Sequence, residues 1–163
     1  MKFDHDNISP LDSRYANKIS ELRENFSESA LIKIRFNIEI EWLLYICVNL
    51  PKTFKPLSKQ SIKKIAKFKD SFDNKSILKI KKIESITNHD VKAVEYYIRD
   101  QFLKDKVLST YTHLIHFGLT SEDINSLSYA HMIKNGISIY IMKLDKVNKI
   151  LKNYSRKWAK QPF

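Results

Sequence analysis

Apolar residues Leu31, Ile34, Ile38, Trp42 and Tyr45 recur three and four positions apart, the spacing of one helix face. Further apolar residues from Leu43 to Val48 surround that stripe. The pattern predicts a long helix capped by Ser27, carrying Glu28 in its first turn, running to about Asn49 and stopped by Pro51. It is the expected core of the first structural unit. Residues 1–15 read as an extended arm ending in Ser9-Pro10-Leu11-Asp12-Ser13-Arg14-Tyr15, followed by a first helix over 17–25. Residues 51–56 read as a loop. Ser58 starts another helix carrying Ile62, Ile65 and Phe68, Asp73-Asn74 breaks it, and a short helix over 76–86 follows.

The last third carries the longest pattern. Thr120 and Asp123 are spaced as in a capping box, and no proline follows until Pro162. From Leu127 through Ile133, Ile137, Ile141, Leu144 and Leu151, apolar residues continue at helical spacing. An unbroken helix here is roughly 50 Å long at ~1.5 Å per residue. Tyr129, Met132, Tyr140 and Met142 add apolar surface on its other sides, so more than one partner helix is expected. Gly136 within the pattern costs about 1 kcal/mol against alanine, which marks a kink or a close contact. The helix is expected to belong to a bundle whose other members lie beyond Phe163 or in other subunits.

Composition narrows the class. A chain of 163 residues is ordinarily one domain, and 43% hydrophobic with 12% aromatic residues excludes a disordered tail. Two glycines and four prolines are too few for the turns of a many-stranded β fold, so an all-α chain is expected. The lone Cys47 has no internal partner and fits a reducing compartment. The start, Met1-Lys2-Phe3-Asp4-His5-Asp6, lacks the apolar core of a signal peptide, and no stretch approaches the ~20 apolar residues of a membrane span. A soluble cytoplasmic protein with no membrane partner is expected. The formal charge of +11 comes mostly from lysine, with arginine only at 14, 23, 35, 99 and 156. Such a field draws in an anionic metabolite or a nucleic acid, but it also arises from AT-rich coding bias and serves solubility. The lysines are spread over all helices without helix-turn-helix spacing or zinc ligands, which argues against a nucleic-acid partner.

Two polar clusters stand where helices should begin. The first is Thr87-Asn88-His89-Asp90-Val91-Lys92-Ala93-Val94-Glu95-Tyr96-Tyr97, and the second is His116-Phe117-Gly118-Leu119-Thr120-Ser121-Glu122-Asp123-Ile124-Asn125. Helix starts present unpaired N–H groups and partial positive charge, which suit an anion. With the basic loop at Arg14, they point to a ligand bearing several negative groups. Each residue taken alone has a plainer role. Thr120, Ser121, Asn88 and Asp90 serve as caps, His89 is a satisfied polar histidine, and Arg14 is an exposed loop residue. His113 and His116 read as packing residues, lacking the companions of a metal site, and Tyr96 and Tyr97 as core and rim.

Taken together, the Ser9–Tyr15, Thr87–Tyr97 and 115–125 segments resemble the N-terminal motifs of the adenylosuccinate lyase family of the fumarase/aspartase superfamily, in order and separation. The resemblance extends almost from Asp6 to Phe163. It implies an all-α fold, with a small N-terminal helical domain over 1–111 and the first long helix of a central helical bundle over 112–163. It further implies a homotetramer with composite active sites, and neither metal nor organic cofactor. The implied reaction is β-elimination of fumarate from adenylosuccinate, giving AMP, and from the succinyl-carboxamide ribotide of purine biosynthesis. Arg14 and Tyr15 would hold the phosphate. Asn88, His89 and Asp90 would line the nucleotide and leaving-group side, with His89 tuning proton transfer. Thr120 and Ser121 would grip a succinyl carboxylate. The family's principal acid, in a Thr-His-Gly-Gln motif, and its base, in a Ser-Ser-x-Met-Pro loop, have no counterpart in these 163 residues, so this stretch alone is expected to be inactive. The alternatives are a basic helical nucleic-acid-binding module and a non-catalytic assembly remnant.

Overall fold

A computed structural model describes residues 9–162. Among the described residues the secondary structure is entirely helical: α1 (Ser20–Phe26), α2 (Glu28–Asn49), α3 (Lys59–Asp70), α4 (Asn74–Thr87), α5 (Asp90–Leu103) and α6 (Ser121–Trp158), with 3₁₀ turns at Ala16–Lys18 and Leu108–Leu114. No helix of the described residues is long and apolar enough to cross a membrane. The chain divides into two compact units, Glu28–His131 and Met1–Ser27 with Met132–Phe163, and α6 contributes to both.

In the unit Glu28–His131, α2 is the centre of a core it shares with α3, α4, α5 and the second 3₁₀ turn. Its buried face is Ile32, Phe36, Ile40, Leu43 and Cys47, with no measurable exposure at Phe36, Ile40 and Leu43. Of the stripe expected from the sequence, Leu31 is half-buried, and Ile34, Ile38, Trp42 and Tyr45 line an open groove with Leu127, Trp42 also packing against the core. Apolar residues surround most of α2, so periodicity alone did not select the face that meets the core. Phe36 stacks on Phe72 at 4.2 Å and meets Phe68 edge-on at 5.2 Å, which ties the end of α3 to α2.

Local chemistry sets the boundaries. Ser58 caps α3 through the Ser61 N–H at 3.0 Å, as expected. Asp73 both ends the preceding turn and starts α4 in a reciprocal capping box with Ser76, so α4 begins two residues before the expected position.

In the other unit, residues 1–8 of the expected arm lie outside the described residues. The described part, 9–15, is turned rather than extended: the Asp12 N–H donates to Ser9 O at 2.9 Å and the Tyr15 N–H to Pro10 O at 3.0 Å. The helix expected over 17–25 is divided by Ile19 into the first 3₁₀ turn and α1. Asn25 Nδ2 donates to Met132 O at 2.7 Å, and Lys143 Nζ lies 3.0 Å from Glu21 Oε2. At Gly136 α6 meets the tip of the Phe26 ring so closely that a Cβ would overlap it. That is the close contact the glycine foreshadowed. Ile137, Ile141, Leu144, Val147 and Leu151 remain about half exposed along α6.

Candidate functional site

The first polar cluster is a helix joint. Asn88 closes α4 in the left-handed conformation, φ 50° and ψ 34°, a geometry asparagine tolerates better than most residues. The chain restarts at once with His89 in an extended conformation as the N-cap of α5. His89 Nδ1 accepts the Lys92 N–H at 3.2 Å. That acceptor role places the ring proton of the neutral imidazole on Nε2, which lies 3.5 Å from Ser121 Oγ. Two segments more than thirty positions apart thus meet at a histidine and a hydroxyl.

Asp90, in the first turn of α5, is anchored from two sides. Its Oδ1 accepts the Val91 N–H at 2.8 Å and its Oδ2 lies 2.7 Å from Arg35 Nη2. Partial burial disfavours the charged carboxylate, but the Val91 N–H and the Arg35 guanidinium outweigh it and hold the pKa below the ordinary aspartate value.

The second cluster is a bent loop entering α6. His116 and Gly118 take left-handed backbone angles, φ 60° and 70°. Thr120 N–H and Oγ1 both donate to Asp123 Oδ2, at 2.7 and 2.8 Å, and the Asp123 N–H points back to Thr120 Oγ1 at 3.4 Å. These donors, the backbone N–H first, keep the Asp123 carboxyl below its ordinary pKa. The Thr120 hydroxyl proton is therefore committed, whereas Ser121 Oγ faces the His89 ring.

Three residues of one α2 face hold this loop. Arg35 Nε and Nη2 donate to Asn125 Oδ1 at 3.1 and 2.7 Å. Glu39 Oε1 pairs with His116 Nδ1 at 2.6 Å, and Trp42 Nε1 donates to Phe117 O at 2.8 Å. The Glu39 hydrogen bond raises the His116 pKa above its ordinary value against the opposing effect of burial; Glu95 adds to the rise and Lys92 subtracts from it. Glu39 Oε2 is buried without a hydrogen-bond partner.

The structure thus brings His89, Asp90, Thr120 and Ser121 into one unit, with Asn88 at the joint. Arg14 and Tyr15 belong to the other unit, both exposed, the Arg14 guanidinium carbon 5.4 Å from the Tyr15 ring centroid. His116, read from sequence as packing, is a half-buried ion-pair partner, and His113 is exposed. Tyr97 is core and Tyr96 rim, the reverse of the order expected from the sequence. Arg35, Glu39 and Asn125 were missed. Two charges one helical turn apart within a strongly apolar helix were the available signal, since such residues are seldom buried without partners. Among the described residues no group of three or more His, Cys, Asp or Glu side chains is arranged to hold a metal.

The fold and this cluster define an all-α protein whose polar residues gather at two helix starts. No family model matches the chain. It is 40% identical over 151 residues to the adenylosuccinate lyase of Buchnera aphidicola subsp. Schizaphis graminum, covering 91% of this chain and 33% of that protein. It is 43% identical over 133 residues to that of Legionella pneumophila strain Corby (80% and 29%), and 40% identical over 128 residues to that of Escherichia coli K12 (78% and 28%). The chain is a relative of the adenylosuccinate lyases, and it spans about a third of the length of the relatives it matches.

Proposed function

We propose that these residues are the N-terminal part of an adenylosuccinate lyase and supply one side of its substrate site. The parent reaction is β-elimination of fumarate from adenylosuccinate and from the succinyl-carboxamide ribotide, in cytoplasmic purine nucleotide synthesis without a cofactor. The observation that carries this reading is the approach of His89 Nε2 to Ser121 Oγ, joining two of the three motifs on which the family resemblance rests.

Within this reading, Arg14 and Tyr15 hold the phosphate. Asn88, His89 and Asp90 line the nucleotide and leaving-group side, and the proton on His89 Nε2 is available to a departing or developing anion. Ser121 and Thr120 receive a succinyl carboxylate. Ser121 is the better donor, because the Thr120 hydroxyl proton is held by Asp123. Fixed donors aimed at developing carboxylate charge are the usual dominant contribution in such chemistry. In this reading the parent enzyme's domains divide at 1–111 and 112–163, whereas the compact units of the present fold change over at Glu28 and Met132. The half-exposed apolar residues of α6 are the contact surface of a homotetramer's helical bundle.

The test is a titration of the purified chain with AMP and with duplex DNA at moderate salt, followed by NMR. Shifts at His89 and Ser121 with AMP, and none with DNA, support the reading. Binding to DNA alone replaces it with the nucleic-acid alternative, and self-association without nucleotide shifts replaces it with the assembly remnant.

A further inference from the structure

Arg35 is nearly fully buried, its side chain 4% exposed, and its guanidinium binds a residue of each of the two polar clusters. Nη2 meets Asp90 Oδ2 at 2.7 Å in the first turn of α5, and Nε with Nη2 forks around Asn125 Oδ1 one turn into α6. The planar guanidinium fixes the directions of its donors, so two partners bound to one fork are fixed relative to each other. One turn further along α2, Glu39 binds His116, and Trp42 holds the Phe117 carbonyl. That face grips the loop entering α6, and of these three side chains it is Arg35 that also binds the start of α5.

We propose that Arg35 is a positioning residue that sets the spacing between the helix starts of α5 and α6, and so holds Ser121 Oγ opposite His89 Nε2. The inference rests on the reading of His89 and Ser121 as substrate-site residues, and it adds a residue that itself touches no substrate. A lysine is a poor substitute, because a single ammonium on a flexible stem does not reproduce the guanidinium's fixed fork toward Asp90 and Asn125.

The test compares the wild-type chain with Arg35→Lys, Arg35→Met and Asn125→Ala. It records thermal unfolding, the nuclear Overhauser contact between the His89 ring and the Ser121 β protons, and the Asp90 titration. The contact is expected in the wild type. It should be lost in Arg35→Met and weakened in Arg35→Lys and Asn125→Ala, all still folded, while the Asp90 pKa rises in Arg35→Met only. If Arg35→Met does not fold, the remaining two variants decide. An undiminished contact in the folded variants overturns the proposal. The same substitutions in a full-length lyase carrying these residues should lower kcat at least tenfold with a smaller change in KM. A normal kcat there also overturns it. None of the contact measurements depends on turnover, so a chain that fails to bind nucleotide yet loses the contact in Arg35→Met refutes the proposed function and leaves the positioning role standing.

Discussion

His116 Nδ1 lies 2.6 Å from Oε1 of Glu39, a carboxylate with no exposed side-chain surface, at a residue whose backbone is left-handed. Left-handed geometry is uncommon for a residue bearing a Cβ, and the buried pair offsets its cost. Because the folded His116 pKa is raised, its contribution to stability is fully present below the ordinary value of about 6.5 and is lost as pH rises through the folded value. The lowered pKa values of Asp90 and Asp123 act oppositely: their contribution is present above the ordinary 3.8 and is lost as pH falls through their folded values. Thermal stability should therefore be highest between about pH 4 and 6.5 and decline toward alkaline pH. Glu39→Gln should flatten the alkaline limb. His116→Ala, which leaves a buried carboxylate without its partner, should cost about 3 kcal/mol. Chemical denaturation across pH measures both.

Ser121→Ala separates a helix cap from a carboxylate donor. Thr120 and Asp123 keep the reciprocal cap of α6, so unfolding of a full-length lyase carrying these residues should change by less than about 1 kcal/mol. Turnover should fall at least tenfold, each factor of ten being ~1.4 kcal/mol of lost transition-state stabilisation. Normal turnover with reduced stability would assign Ser121 to capping.

The parts of this fold legible in the sequence were those set by neighbours in the chain. Ser58, the Thr120–Asp123 pair and Pro51 fixed helix ends because caps and breakers act within four residues. The buried face of α2 was not legible, since its apolar residues run nearly all round and only packing against α3, α4 and α5 selects a face. Arg35, Glu39 and Asn125 were hidden for another reason. Their partners lie far along the chain, at Asp90, His116 and Arg35, and no local spacing encodes such a pairing. The motifs named the residues at the two helix starts; the rail on α2 that holds them emerged only from packing.

Gly136 and Phe26 should be coupled. Alanine favours a helix over glycine by about 1 kcal/mol, but at 136 its Cβ displaces the Phe26 ring. Gly136→Ala should give little net gain in the wild type and recover about 1 kcal/mol in a Phe26→Ala background. A double-mutant cycle by thermal unfolding reads the difference. Equal gains in both backgrounds would show that the contact does not restrict position 136.

The exposed stripe of α6 should mediate self-association. Ile141→Asp and Leu144→Asp place charges on half-exposed apolar positions and should shift a full-length lyase carrying these residues toward lower oligomers in sedimentation velocity. An unchanged sedimentation profile would remove α6 from the assembly surface.

Under the proposed function, these residues form one side of a lyase site whose acid and base they do not supply. Fumarate release from adenylosuccinate, followed by ultraviolet absorbance, tests it directly. A polypeptide of these 163 residues should release none alone, because each positioned acid or base typically contributes about 10²–10⁴-fold. Mixed with a lyase subunit damaged in its own N-terminal motifs, it should restore release. Turnover by the polypeptide alone after rigorous removal of host enzyme, or a silent mixture whose subunits demonstrably co-assemble, would rule out this division of the site.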